Sequence, residues 1–276
     1  MKRFFTLMVS ACLVLSMAAC SSTKTTEAPA QKTEVIVFAA ASMTETLTEI
    51  GDIYMAENED VSLIFNFDSS GTLKTQIEEG ADCDIFISAG QKQMNQLDIN
   101  ADPSVNTAGL DFIYDGTRID LLENRVTLCK AENSDTAVDS FDTLAKMLEE
   151  GTVMLAIGNS DVPVGQYTQK ILAYYGLSED KLANSGVITY GSNAKEVTTQ
   201  VSEGTVDCGI IYCTDAFSAG LEPIDYATAE MCGQVIYPAA VINTTKVQEE
   251  AKAFLDYLTT DAAMAVFEKV GFAPAL

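Results

Sequence analysis

The 276-residue chain contains no histidine and no tryptophan. Without imidazole it lacks the side chain that most often serves as a general base near neutral pH, and with it a common metal ligand. Basic residues are scarce, 16 Lys and Arg against 40 Asp and Glu, for a formal net charge of −24. A surface this acidic is repelled by phosphate backbones, which argues against nucleic acid as a partner. It does not exclude a small anion, because salt screens exposed charge beyond roughly 8 Å and a buried site of neutral donors is compatible with an acidic exterior. Seven cysteines are present, but no two are spaced Cys-x-x-Cys. Neither a zinc site nor a full disulfide framework is indicated.

Long apolar runs are also missing, with one exception at the start. Lys2 and Arg3 precede an apolar stretch from Phe4 to Val14, which Leu15-Ser-Met-Ala-Ala-Cys20 ends with small residues. The pattern is that of a secretory signal over residues 1–19, too short and wrongly flanked for a transmembrane helix. Because the small residues stop at a Cys, the segment resembles a bacterial lipoprotein signal, in which Cys20 becomes the lipidated first residue. Residues 20–33, rich in Ser, Thr, Ala and Lys, then read as a flexible tether holding an extracytoplasmic domain to the membrane. Loss of Lys2 and Arg3 with the signal takes the formal charge from −24 to −26. Five cysteines remain in the expected domain: Cys83, Cys129, Cys208, Cys213 and Cys232. Cys83 and Cys208 read as small buried apolar side chains. Cys208 and Cys213, an odd number of residues apart, would lie on opposite faces of one strand and not pair.

The remaining chain alternates strand and helix patterns, which indicates an α/β protein. Strands are expected at 35–40, 61–67, 84–88, 111–114, 125–131, 153–157, 187–190, 206–212 and 235–242. Helices are expected at 44–57, 72–79, 91–97, 141–150, 165–175, 194–203, 246–259 and 262–270. Glu79-Gly80 and Glu203-Gly204 read as matching helix ends in two halves of similar design.

Four strand-to-helix junctions are candidates for anion binding. Val35-Ile-Val-Phe-Ala-Ala-Ala-Ser42 ends a buried strand in a Ser where a helix begins, and Leu63-Ile-Phe-Asn-Phe67 runs into Asp68-Ser-Ser-Gly-Thr72 in the same way. Free N–H groups at a helix start, the helix dipole and a Ser hydroxyl together hold an anion without a charged side chain. Each Ser also reads as an ordinary helix cap, and Ser42 with Glu45 fits a capping box. Further junctions follow at Gly158 to Gly165, with Pro163 preset for a helix start, and at Gly191-Ser192-Asn193 before Val197. In an open parallel sheet such turns share the carboxyl edge of the strands, where ligands bind.

These segments resemble the molybdate-binding proteins of bacterial ABC importers over about Glu34 to Phe272. The similarity is carried by Val37-Phe-Ala-Ala-Ala-Ser42, Ser69-Ser-Gly-Thr-Leu73, Asp84-Ile-Phe-Ile-Ser-Ala89, Val162-Pro-Val-Gly165, Gly209-Ile-Ile-Tyr212 with Asp215, Tyr237-Pro238 and Val270-Gly-Phe272. The resemblance implies an α/β, two-lobed type II periplasmic-binding-protein fold, each lobe a mainly parallel sheet flanked by helices, with two hinge crossings. Lobe I would comprise 34–121 and 226–276, lobe II 122–225. It further implies a monomer that captures molybdate or tungstate and delivers it to a membrane permease, with no cofactor, no catalysis and molybdenum present only within the oxyanion. By position, hydroxyl donors fall on Ser42, Ser70 and Tyr212 and backbone donors on Ser42, Ser70, Val164 and Val197. Gly71 stands where some relatives have a third Ser. Asp68 and Asp215 run against a site of donors only. The rival readings are a binder of sulfate or thiosulfate, an enzyme using Cys or Tyr212 as nucleophile, and a scaffold lipoprotein.

Overall fold

The structure, a computed structural model, describes residues 32–131 and 134–275. The expected signal segment and Cys20 lie outside the described residues. In chain order the elements are β1 (Thr33–Ala40), a 3-10 turn (Ala41–Met43), α1 (Thr44–Glu57), β2 (Val61–Asp68), α2 (Ser70–Glu78), β3 (Ile85–Ile87), α3 (Gln91–Leu97), β4 (Ile119–Asn124), β5 (Val126–Lys130), α4 (Phe141–Glu150), β6 (Leu155–Gly158), α5 (Pro163–Tyr174), α6 (Glu179–Ser185), β7 (Ile188–Gly191), α7 (Ala194–Ser202), β8 (Cys208–Tyr212), α8 (Cys213–Ser218), β9 (Pro223–Tyr226), α9 (Ala229–Cys232), β10 (Val235–Val241), α10 (Gln248–Tyr257), α11 (Asp261–Lys269) and β11 (Ala273–Pro274). No described helix is long and apolar enough to cross a membrane.

Local chemistry accounts for the helix ends. Ser140 opens α4 by accepting from Thr143 N, and Phe141, Leu144 and Leu148 form its buried stripe before Gly151 ends it with φ 71°. That spacing of apolar residues is the helical one, and a left-handed terminal residue favours glycine. Gly80 and Gly204 follow α2 and α7 with φ of 89° and 67°, so the paired Glu-Gly endings are matching helix stops.

The strands form two sheets, ordered β11-β4-β10-β3-β1-β2 and β7-β6-β8-β5-β9. Each contains a parallel trio, β1 with β2 and β3 in the first, β6 with β7 and β8 in the second. The sheets are mixed, since β10 runs antiparallel to β3 and β4, and β5 runs antiparallel to β8 and β9. The reason lies in the connections. β4 leaves the carboxyl edge of the first sheet and passes through Arg125 directly into β5 at the carboxyl edge of the second, so β5 must run against its parallel neighbours. The return from β9 through α9 to β10 imposes the same reversal on β10. Both crossings therefore run along the edge where the parallel strands end and the helices of both halves begin.

Six elements escaped the sequence pattern: strands β4, β9 and β11 and helices α6, α8 and α9. β4 and β9 are crossing strands whose residues alternate poorly, and Asp111 to Tyr114 makes only an isolated bridge between Ile113 and Ile242. Among the unexpected helices, α8 starts at Cys213. Cys213 thus lies beyond the strand that holds Cys208 rather than on its opposite face, and all five described cysteines are free and buried.

Candidate functional site

β1 and β2 pair in register with Ala40 opposite Asp68, which sets Ser42 and Ser70 side by side two residues past the sheet edge. Neither Ser is a side-chain cap. Ser42 sits inside the 3-10 turn, and α1 has no side-chain cap at Met43, so the capping-box reading with Glu45 does not hold. At the second junction the cap is Ser69, whose Oγ accepts from Thr72 N at 3.1 Å, leaving Ser70 as the first helical residue.

Hydrogen-bond polarity then decides what each hydroxyl can still do. Arg125 N donates to Asn124 Oδ1 at 2.7 Å, which orients the amide so that Nδ2 donates to Thr214 Oγ1 at 3.0 Å and to Tyr237 Oη at 3.1 Å. Tyr237 Oη lies 3.0 Å from Ser42 Oγ. With its lone pair engaged by Asn124, Tyr237 is best satisfied by donating to Ser42, and the Ser42 proton is left free. Ser70 Oγ accepts from Ala89 N at 2.9 Å, so its proton is free by the same logic. A hydroxyl already accepting from a fixed donor is a preoriented donor for an anion.

Tyr237 and Asn124 were not among the expected site residues. The available signal was Pro238, since proline inside a central strand marks a bulge. The β10–β4 register does shift between Tyr237 and Pro238.

Tyr212, fully buried at the end of β8, donates to Ala89 O at 3.3 Å. Its ring meets those of Tyr167 and Tyr237 edge-on, with centroids 6.4 and 5.6 Å apart. Burial holds the Tyr212 and Tyr237 hydroxyls well above the usual phenol range, so both are neutral donors. Val164 follows the helix-opening Pro163, where a backbone N–H has no intrahelical acceptor, and its side chain is in the core rather than narrowing the cleft. Val197 N is engaged: it donates to Asn193 O at 3.3 Å, while Asn193 Oδ1 accepts from Glu196 N at 2.9 Å. The Asn193 cap consumes those two donors, so the free N–H groups of α7 are those of Ala194 and Lys195.

Ser42, Ser70, Asp68, Pro163, Ala194 and Tyr212 line one cavity of about 10 Å³ between the two halves. By that measure the cavity as it stands has room for about one water, so an oxyanion enters only when the two halves part. Larger open grooves of about 470 and 550 Å³ run along the seam, but neither is lined by Ser42, Ser70 or Tyr212. The seam is tight around the cavity. A Cβ on Gly71 would collide with the carbonyl oxygen of Asp161 in the other half, and one on Gly90 would come 3.2 Å from Pro163 Cβ. Lys195 of α7 pairs with Glu45 of α1 across the same seam. A serine side chain at Gly71 would not fit here.

Two carboxyls lie close by. Asp68 Oδ1 accepts from Ser69 N at 2.6 Å, which withdraws that N–H from any guest. Asp215 is 4% exposed, and Oδ2 has no partner among the described residues. Burial pushes its carboxyl up to about 7. No described cluster of His, Cys, Asp and Glu could hold a metal ion.

A family model described as bacterial extracellular solute-binding protein matches residues 35–273. YvgL of Bacillus subtilis (strain 168), whose name places it among ABC transporter substrate-binding lipoproteins, is 33% identical over 94% of this chain and 93% of its own. The molybdate-binding protein ModA of Escherichia coli (strain K12) is 32% identical over 88% of this chain and 90% of its own. Among solved structures, the periplasmic molybdate-binding protein of Azotobacter vinelandii matches with a TM-score of 0.72 at 20% identity, covering 88% of this chain and 100% of that one. The sulfate-binding protein SubI of Mycobacterium tuberculosis H37Rv matches with a TM-score of 0.67 at 18% identity, covering 88% and 87%. At those identities the two structures speak for the periplasmic-binding-protein fold alone. Two α/β halves with a donor-lined cavity between them, and a family match over nearly all the described chain, lead to one conclusion: this chain belongs to the bacterial extracellular solute-binding protein family.

Proposed function

We propose that this protein is the solute-binding component of an ABC importer and captures molybdate, and equally tungstate, between its two halves. The observation that carries this reading is the meeting of the Ser42, Ser70 and Tyr212 hydroxyls on the wall of one cavity between the halves, with Ser70 accepting from Ala89 N and so keeping its own proton free. Molybdate is fully deprotonated at neutral pH and only accepts hydrogen bonds, so neutral donors suit all four of its oxygens. A protonated oxyanion would leave its own proton unpaired among donors, an asymmetry that discriminates strongly. Sulfate passes that test, but its shorter bonds would keep donors on two separate halves from reaching every oxygen. The names of the relatives support the same ligand.

In this reading residues 34–121 and 226–276 close on 122–225 by hinge motion about the crossings, as periplasmic binding proteins do in general. The closed form is what the permease recognises. Cys20 carries the lipid that holds the monomer at the membrane. The protein is not an enzyme: burial raises the described thiols above their ordinary range, and no imidazole stands by to activate a nucleophile.

A second reading, another unprotonated tetrahedral oxyanion such as sulfate or thiosulfate, draws on the same donor-lined cavity, since those ions also only accept hydrogen bonds. A thermal-shift screen of the fragment starting near Glu34 separates the two. Molybdate and tungstate should stabilise it by about 2.7 kcal/mol at 100 times Kd, with sulfate, thiosulfate and phosphate inert at equal concentration. Stabilisation by sulfate or phosphate alone would replace the molybdate reading, and no shift with any oxyanion would remove it.

A further inference from the structure

Asp215 is a buried acid that the donor cradle leaves unused. It stands three residues beyond Tyr212 in α8, beside the Asn124–Thr214–Tyr237 network, with Oδ2 unpartnered. The charged and titratable groups facing it come from four other elements: Tyr212 of β8, Tyr237 of β10, Lys195 of α7 and Glu45 of α1. Cys213 is its neighbour on α8. Lys195 is paired to Glu45 and sits at the surface, so no cation is committed to Asp215 alone. Arg125 is turned away, its guanidinium 4.6 Å from the Tyr226 ring centroid.

A charged carboxylate in this position would share a water-poor region with the guest, because Tyr212, three residues before Asp215, lines the cavity and Tyr237 bonds Ser42 on its wall. Like charges in such a region cannot both persist without cost, and the carboxyl is the one that can discharge by taking a proton. We propose that Asp215 couples anion capture to proton uptake: the loaded, closed protein holds a proton on the Asp215 carboxyl, and loss of that proton to solvent favours release. The inference rests on the oxyanion-binding reading and deepens it.

The sign follows from linkage. Burial already raises this acid to about 7, with Lys195 pulling down and Glu45 pushing up, so the folded site holds its proton to higher pH than an ordinary carboxyl. A neighbouring dianion raises it further. Below about pH 7 both the free and the loaded protein carry the proton and affinity is flat. Above it only the loaded form does, and Kd rises by up to about tenfold per pH unit until the loaded form also ionises. The flanking tyrosines, held well above the usual phenol range, do not titrate there. Molybdate itself carries no proton over this range.

The test is titration calorimetry of molybdate into the parent protein between about pH 6 and pH 9, in pairs of buffers that differ in protonation enthalpy. Proton uptake should rise from near zero toward one per molybdate bound, with Kd weakening in step. Asp215→Asn should abolish both and bind more tightly than the parent at the alkaline end. Binding with a flat Kd and no proton uptake in the parent overturns the coupling and leaves the oxyanion reading intact. The buffer-pair measurement needs no variant, so it decides even if Asp215→Asn fails to fold. A slope that survives in a folded Asp215→Asn variant assigns the proton elsewhere and also overturns the proposal. No binding heat at any pH overturns both readings together.

Discussion

Removing one oxygen, in Tyr237→Phe, tests whether the Ser42 donor is held in place by a chain of hydrogen bonds. Tyr237 Oη stands between Asn124 Nδ2 at 3.1 Å and Ser42 Oγ at 3.0 Å, all within the buried core. Phe keeps the edge-on packing against Tyr212 and Phe272, whose centroids lie 5.6 and 5.2 Å away, so the variant deletes a hydroxyl and little else. Asn124 keeps Thr214 as one acceptor and loses its other, and an unsatisfied buried donor costs about 1–3 kcal/mol of folding stability. Ser42→Ala should weaken molybdate by about 1.5–3 kcal/mol, roughly ten- to a hundredfold, because it removes one hydrogen bond to a charged guest. Tyr237→Phe should lose part of that, since the Ser42 proton is no longer steered into the cavity. If Tyr237 acts on binding only through Ser42, the double variant binds no worse than Ser42→Ala alone, and the coupling energy equals the whole Tyr237→Phe effect. Titration calorimetry gives the binding cycle and urea unfolding the stability cycle. Additive losses in Kd would refute the relay, as would a Tyr237→Phe variant that binds and folds like the parent.

Two further outcomes follow from the seam and the core. Gly71→Ala should oppose closure, because its Cβ would meet the Asp161 carbonyl oxygen, costing about 1–3 kcal/mol in molybdate affinity with little change in the unfolding midpoint of the ligand-free protein; unchanged affinity would show that these two segments do not close on each other in the loaded form. The five described thiols, buried and with Cys129 and Cys208 pushed up to about 12 and Cys213 to about 11, should be unreactive toward a thiol reagent at neutral pH and react in full in denaturant. Rapid labelling of any of the five in the native fragment would contradict that burial.

Much of the fold was legible because its signals are local. Phe141–Glu150 runs from its Ser140 cap to Gly151, Thr44–Glu57 and Gln91–Leu97 follow their apolar spacing without a side-chain cap, and the Ser-bearing junctions after β1 and β2 are readable as strand-to-helix turns. The crossings were not. β4 and β9 are short and partly exposed, and what makes them strands is pairing with partners more than a hundred and nearly a hundred residues away in sequence. The reversal of β5 and β10 within the sheets was not legible for the same reason, since their direction depends on how the chain passes between halves and not on their composition.

The sequence by itself determined the class of the protein: alternating apolar strands and capped helices, an acidic exterior, no imidazole, and hydroxyl residues at the strand ends. Those properties depend on neighbours a few residues away. Only the tertiary structure decided which hydroxyl protons are free, because Ser42 is oriented by a Tyr 195 positions distant and Ser70 by the backbone of Ala89. It also decided that the free donors of α7 begin at Ala194, that Gly71 has no room for a side chain, and that Asp215 is a buried acid without a partner. Hydrogen-bond direction and burial are set by what the whole chain packs against a group, and no stretch of sequence carries that information alone.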